Sequence, residues 1–172
     1  MKRTKYFILL VLLLVHPILS YAQNPAEVGP VGSSPHLSMG RPGEGIVGNT
    51  IIARRGYACL HNDQRKTPMW VSYYITSQDL KKSVPRKDSF KADPNLKSGF
   101  RAEPSDYEKS GFDRGHMAPC EDMSRDSKTM EESFYLSNMV PQNPNNNQQF
   151  WKKLEGEFRN LWRLIYYHRT GF

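Results

Sequence analysis

The chain has 172 residues, with 24 Lys+Arg against 17 Asp+Glu, 38% hydrophobic and 12% aromatic side chains, and only 2 Cys. That length fits one domain, and a generous aromatic share beside an ordinary charged fraction of 24% excludes a collagen-like, coiled-coil or wholly disordered chain. The formal charge of +7 favours polyanions, but a surplus of this size also occurs on ordinary solvated surfaces, so charge alone decides nothing.

Residues 1–22 read as an export signal. Lys2, Arg3 and Lys5 give a positive start, Phe7 to Val15 is an unbroken apolar run, and Ser20-Tyr21-Ala22 supplies small residues before a cut at Gln23. Nine apolar residues fall short of the about 20 that a membrane-spanning helix needs, so a retained anchor is the weaker reading. The product is expected in a periplasm or outside the cell, with no membrane partner once the signal is cut. Removing that segment leaves 21 basic against 17 acidic side chains, a formal +4. An oxidising compartment would let Cys59 and Cys120 pair, yet Cys59 sits in a strand-like stretch that suits a small buried thiol, and two separate thiols are slightly favoured.

Residues 23–49 carry six Gly and four Pro with few large apolar groups, which predicts a flexible approach to a domain spanning 50–172. Ile51 to Leu60 reads as one strand and Met69 to Thr76, β-branched and aromatic, as its antiparallel partner, joined through His61 to Pro68. Residues 77–110 are polar, hold Pro85, Pro94, Gly99 and Pro104, and show no sustained period, so they are expected to form a long surface loop of the kind that lines a substrate groove. A short helix is expected over Ser127 to Glu132 and a strand over Phe134 to Asn138. From Asn147 onward Phe150, Trp151, Leu154, Phe158, Leu161, Trp162 and Ile165 recur at helical spacing, with Asn146 as the cap. The whole is an α+β fold with an antiparallel sheet and a long C-terminal helix.

Two segments carry chemistry: Asp113-Arg114-Gly115-His116-Met117-Ala118-Pro119, and the helix start Asn147 to Glu155, which begins 31 residues after His116. Hydrolysis of a phosphodiester requires a base for water, positive charge for the phosphorane and relief of charge on the leaving oxygen. Histidine serves the first because its ordinary pKa is about 6.5. Arg114 serves the second through its planar fork. A hard cation that accepts an Asn carbonyl and keeps its waters serves the third. Asn147 and Glu155 stand eight residues apart, about 80° around a regular helix, so both can face one site. The bland alternatives are an inert surface histidine, an Asn that only caps and a Glu that only meets water. Those alternatives suffice for His16, His36, His61 and His168.

The blocks Asp106 to Pro119, Phe134 to Gln142 and Asn147 to Glu155, in that order, closely resemble the DNA/RNA non-specific endonuclease family, which includes mitochondrial endonuclease G and secreted bacterial nucleases. Weaker likeness reaches back to about Ser38. The resemblance implies a ββα-metal motif in which a strand offers the base and a helix the metal ligand. It implies His116 as general base, Asn147 as the direct ligand of Mg²⁺ (or Mn²⁺ in its place), Glu155 as the residue bonding metal waters and Arg114 as a phosphate or structural contact. Asn138 matches a further Asn of the family's site region, and Arg86 matches, at loose spacing, its transition-state arginine. The implied substrates are DNA and RNA, cut without strong sequence preference because phosphate contacts carry little sequence information. Lys81, Lys82, Arg86, Lys87, Lys91, Lys97 and Arg101 of the long loop are candidates to track a nucleic-acid backbone. A homodimer is left open. The family continues past this helix into further strands that the sequence lacks, so the alternative is a truncated homologue that only binds nucleic acid or does not fold alone.

Overall fold

The computed structural model describes residues 26–28, 34–42, 49–76, 79–81 and 83–170. The expected signal over 1–22 and Lys82 lie outside them. Strands β1 (Ala26–Val28), β2 (Asn49–Ala53), β3 (Ala58–Asn62) and β4 (Thr67–Ser72) form one sheet in that order, β1 parallel to β2 and the remaining pairs antiparallel. Strands β5 (Asp113–His116) and β6 (Met139–Gln142) form a separate antiparallel pair, with helix α1 (Ser127–Ser133) between them in sequence. The chain then enters a wide π-helical turn, Asn146–Trp151, that runs into helix α2 (Lys152–Thr170). The α+β class is as expected.

The first sheet is packed on both faces, which its near-continuous apolar runs require. Register places Ile51, Leu60 and Trp70 side by side on one face and Ile52, Cys59 and Val71 on the other. The second face packs on Met117, Ala118 and Met123, the residues that follow β5. The backbone just beyond His116 is therefore set by the main core. Cys59 and Cys120 are both free and buried, in different clusters, so the separate-thiol reading holds; burial pushes both thiols up from their ordinary pKa.

Several boundaries differ from expectation. Ile51 to Leu60 is two strands, because the chain turns at residues 54–57 and Arg54 N–H closes the turn on Tyr57 C=O at 2.7 Å. His61 lies in β3, fully buried, with Nδ1 at 3.0 Å from Asp63 Oδ1, rather than in a turn. The strand expected over Phe134 to Asn138 begins five residues later: Leu136–Asn138 is a 3₁₀ turn, and pairing starts at Met139. The approach segment is also less irregular than expected where it is described. Pro35–Leu37 forms a 3₁₀ turn, and His36 is buried with Nε2 at 3.1 Å from Arg55 C=O and its ring 4.8 Å from Tyr74.

The long loop is pinned to the core. Fully buried Asp93 pairs with Arg54 and accepts from Ser137 Oγ at 2.5 Å, while Leu96 and Ala102 are buried. Its cations are accordingly not a free row. Lys91 pairs with Glu131 at 2.6 Å, and Arg101 donates to Glu103 and to the carbonyls of Asp93 and Leu96. Among the α2 side chains described, Arg159 is the buried one, while Leu161, Leu164 and Ile165 are exposed. No described helix is long and apolar enough to cross a membrane.

Candidate active site

One cleft of ≈ 630 Å³ opens between the β5 end and α2. Arg86, Arg114, His116, Asn147 and Glu155 all line it. Five of the six residues singled out in the sequence thus converge. Asn138 does not line it.

His116 closes β5, and its position follows from close backbone packing. A side chain at Gly115 would place its Cβ 2.2 Å from Gln142 Oε1 on β6, so only glycine lets the two strands meet here. The imidazole packs edge-on against fully buried Phe134, with ring centres 4.9 Å apart, and lies 5.7 Å from Phe90. Burial, assisted by the Arg86 charge, pushes its pKa down to about 3. The ring is therefore neutral at physiological pH, and Nε2 has no hydrogen-bond partner among the described residues. That nitrogen is itself buried, and the neutral ring is a base by its protonation state.

Asn138 acts beneath this strand. It is fully buried; its Oδ1 accepts from Ala118 N–H at 2.9 Å, and its Nδ2 donates to the carbonyls of Ala118 and Ser133, both at 2.9 Å. It clamps the chain two residues after His116 to the end of α1. Asn138 thus stands outside the cleft as a buried clamp, and its hydrogen bonds go to backbone groups.

The opposite wall comes from the helix. Asn143, rather than Asn146, caps it: Asn143 Oδ1 accepts from Asn145 N–H at 3.0 Å and Asn146 N–H at 3.4 Å, with Pro144 in the first turn where its missing N–H costs nothing. Asn146 instead lies in the π turn. Asn147 Nδ2 donates to Asp113 Oδ2 at 2.9 Å, and Gln148 Nε2 donates to the same oxygen at 2.8 Å. A carboxylate only accepts, so the amide must turn its NH₂ toward Asp113 and keep its carbonyl oxygen as the group it can offer. Asp113, first letter of the β5 block, received no role from the sequence. Its partners are 34 and 35 residues away and only the fold brings them together.

Glu155 stands one turn before Arg159 on α2. Burial, reinforced by nearby Asp122 and Glu121 and opposed by Arg159, pushes its pKa up to about 7. Arg159 Nη1 donates to Asp122 Oδ1 at 3.0 Å, and Tyr73 Oη donates to Asp122 Oδ2 at 3.0 Å, tying the helix to the residue after β4. This buried pair joins residues 37 apart in the chain, so only the fold reveals it.

Two arginines complete the cleft. Arg86 donates to Asp88 at 2.7 Å and to Cys120 Sγ at 3.4 Å, with its guanidinium 5.5 Å over the Phe134 ring. Arg114 is exposed, its guanidinium lying 4.1 Å over Phe90. Stacking leaves the N–H edges of a guanidinium open to phosphate oxygens. Among the described residues no group of three or more His, Cys, Asp or Glu could hold a metal. The donor set at Asn147 and Glu155 still suits a hard cation that keeps most of its waters, since such an ion needs one carbonyl and a carboxylate to receive its water protons. A Glu whose burial among other carboxylates raises its pKa is likewise the group a cation would relieve.

The match to a model of DNA/RNA non-specific endonucleases runs over residues 32–170. The mitochondrial nuclease EXOG of Danio rerio is 40% identical over 131 residues, which is 76% of this chain and 38% of that protein. The nuclease of Nostoc sp. is 34% identical over 151 residues, 84% of this chain and 54% of that one, and nuclease C1 of Cunninghamella echinulata 39% over 129 residues, 73% and 50%. A chain in the crystal structure of the EndoG/EndoGI complex superimposes with a TM-score of 0.66 at 32% identity, covering 73% of this chain and 51% of that one. The chain thus spans 38% to 54% of the length of these three relatives. Because the match runs through the β5 block, the β6 block and the helix that bears Asn147 and Glu155, the chain belongs to the DNA/RNA non-specific endonuclease family.

Proposed function

We propose that the protein is an exported, Mg²⁺-dependent endonuclease that hydrolyses phosphodiester bonds in DNA and RNA. The observation that carries this reading is the shared cleft, with His116, Arg114 and Arg86 on one side and Asn147 and Glu155 on the other. His116, held neutral, takes the proton of the attacking water. Arg86 and Arg114 hold the non-bridging phosphate oxygens and offset the charge that grows on them. Asn147 would hold Mg²⁺ through the carbonyl that Asp113 leaves free, and Glu155 would accept hydrogen bonds from the ion's waters. The cation, when bound, stabilises charge on the leaving oxygen. Because these groups address phosphate and water rather than base edges, the activity is indifferent to sequence.

The test is degradation of plasmid and total RNA by purified protein with Mg²⁺ or Mn²⁺, abolished by a chelator and restored by adding the cation back. Cleavage by His116→Ala at the wild-type rate would refute the assignment. Salt-sensitive retention on DNA with no cleavage in any metal would favour a binding protein instead. Export is tested separately, by asking whether the Met1 to Ala22 segment directs a reporter out of the cytoplasm.

A further inference from the structure

Among the exposed large hydrophobic side chains of the described residues, Phe112 alone lines the cleft. Its ring is 53% exposed and has no aromatic or cation partner among the described residues, in contrast to Phe90, which is covered by Arg114. The backbone beneath it is fixed on both sides. On one side a tight turn places Lys109 at φ 55° and Gly111 at φ 79°, with Ser110 Oγ donating to Tyr107 C=O at 2.9 Å and accepting from Phe112 N–H at 3.2 Å. On the other side Asp113 pairs with Gln142 in β6 and receives the amides of Asn147 and Gln148. A bare aromatic face is thus mounted rigidly next to a cleft whose other reach is supplied by Arg86, Arg114 and Lys152.

Cationic groups beside an unpartnered flat ring are what a single nucleic-acid strand requires: charge for the backbone and a π face for a base. We propose that Phe112 is a specificity-determining residue, on which one nucleobase flanking the scissile phosphate stacks. The inference rests on the hydrolytic reading of the cleft. A base inside an intact duplex has both faces covered, so the platform favours single-stranded or frayed substrate over closed duplex. Every base has a π face, so it does so without reading sequence.

The experiment measures binding in a His116→Ala background, with Mg²⁺ present, by fluorescence anisotropy. The probes are a short single-stranded DNA and the same strand built from abasic tetrahydrofuran units. The added substitutions are Phe112→Ala and Phe112→Tyr. Phe112→Ala is expected to weaken binding of the base-bearing strand about tenfold and to leave the abasic strand unchanged, with Phe112→Tyr restoring the difference. Equal loss on both strands, or no loss on either, overturns the proposal. With His116 intact, Phe112→Ala should raise KM on single strands by the same factor and leave kcat alone. Cleavage with unaltered KM would sink the stacking role and keep the nuclease. Base-dependent binding without any cleavage would sink the nuclease and keep the stacking role.

Discussion

The two walls of the cleft are held by different forces. The His116 wall is set by apolar packing and backbone register: Phe134 behind the ring, Met117 and Ala118 in the core, Gly115 pressed on Gln142, and Asn138 clamping Ala118 to the end of α1. The helix wall is set by polar contacts: the amides of Asn147 and Gln148 on Asp113, and the buried Arg159–Asp122 pair. The first kind of support is made by groups that do not titrate and tolerates little change of volume. The second tolerates volume changes but depends on charge. A site built this way keeps the imidazole rigid and neutral while the helix wall responds to charge brought near it.

The largest expected effect breaks the comparison at its catalytic centre. His116→Ala should lower turnover by about 10²–10⁴-fold, measured on plasmid at saturating Mg²⁺, while binding to nucleic acid is kept. Next comes Arg159→Met, which strands Asp122 in a buried environment and should cost about 3–5 kcal/mol in urea unfolding; adding Asp122→Leu should recover most of it. On the other wall Asn138→Ala leaves the Ala118 and Ser133 backbone groups unpaired and should cost about 2–3 kcal/mol, with no rescue by Mg²⁺. Asp113→Ala should separate the two supports most cleanly. It should weaken Mn²⁺ binding by about 10–100-fold in an electron paramagnetic resonance titration, with unfolding midpoints nearly unchanged.

The smallest effect is in pH dependence without divalent cation, where the walls have opposite signs. His116 has a folded pKa depressed to about 3, so its contribution to stability is present above about 6.5 and is lost as pH falls toward 3. Glu155 has a folded pKa raised to about 7, so its contribution is present below about 4.5 and is lost as pH rises through 7. Glu155→Gln should therefore flatten the decline between about pH 4.5 and 7, and leave the acid side intact. Thermal melts across that range check both limbs. The same depression means that kcat/KM should show no loss of base near the ordinary histidine pKa of about 6.5.

What could be read from the residues was what lies close together in sequence. Asp113 to His116 and Asn147 to Glu155 are short, chemically loaded stretches, and α1 has a capping Asp126 whose carboxylate accepts from Lys128 and Thr129 N–H. What could not be read depends on distant partners. Gly56 looks like an ordinary strand residue until the fold places Met123 Sδ against it, inside the turn that splits the first expected strand. Asn138 carries the composition of a site residue, and only the fold reveals its three backbone partners. Arg86 was placed on loose spacing, and it reaches the cleft because the long loop is tied down through Asp93. Two of the other loop cations, Lys91 and Arg101, were expected on a track that the structure uses for ion pairs.

The wide turn at Asn146–Trp151 makes the spacing between Asn147 and Glu155 a matter of chain length as well as of residue identity. Losing one codon inside that stretch would let a regular ladder form and would swing the carboxamide by about 100° relative to the carboxylate. Such a gene would lose only one letter of the nuclease blocks. Its product would fold, keep its histidine in place and have lost the alignment of Asn147 with Glu155.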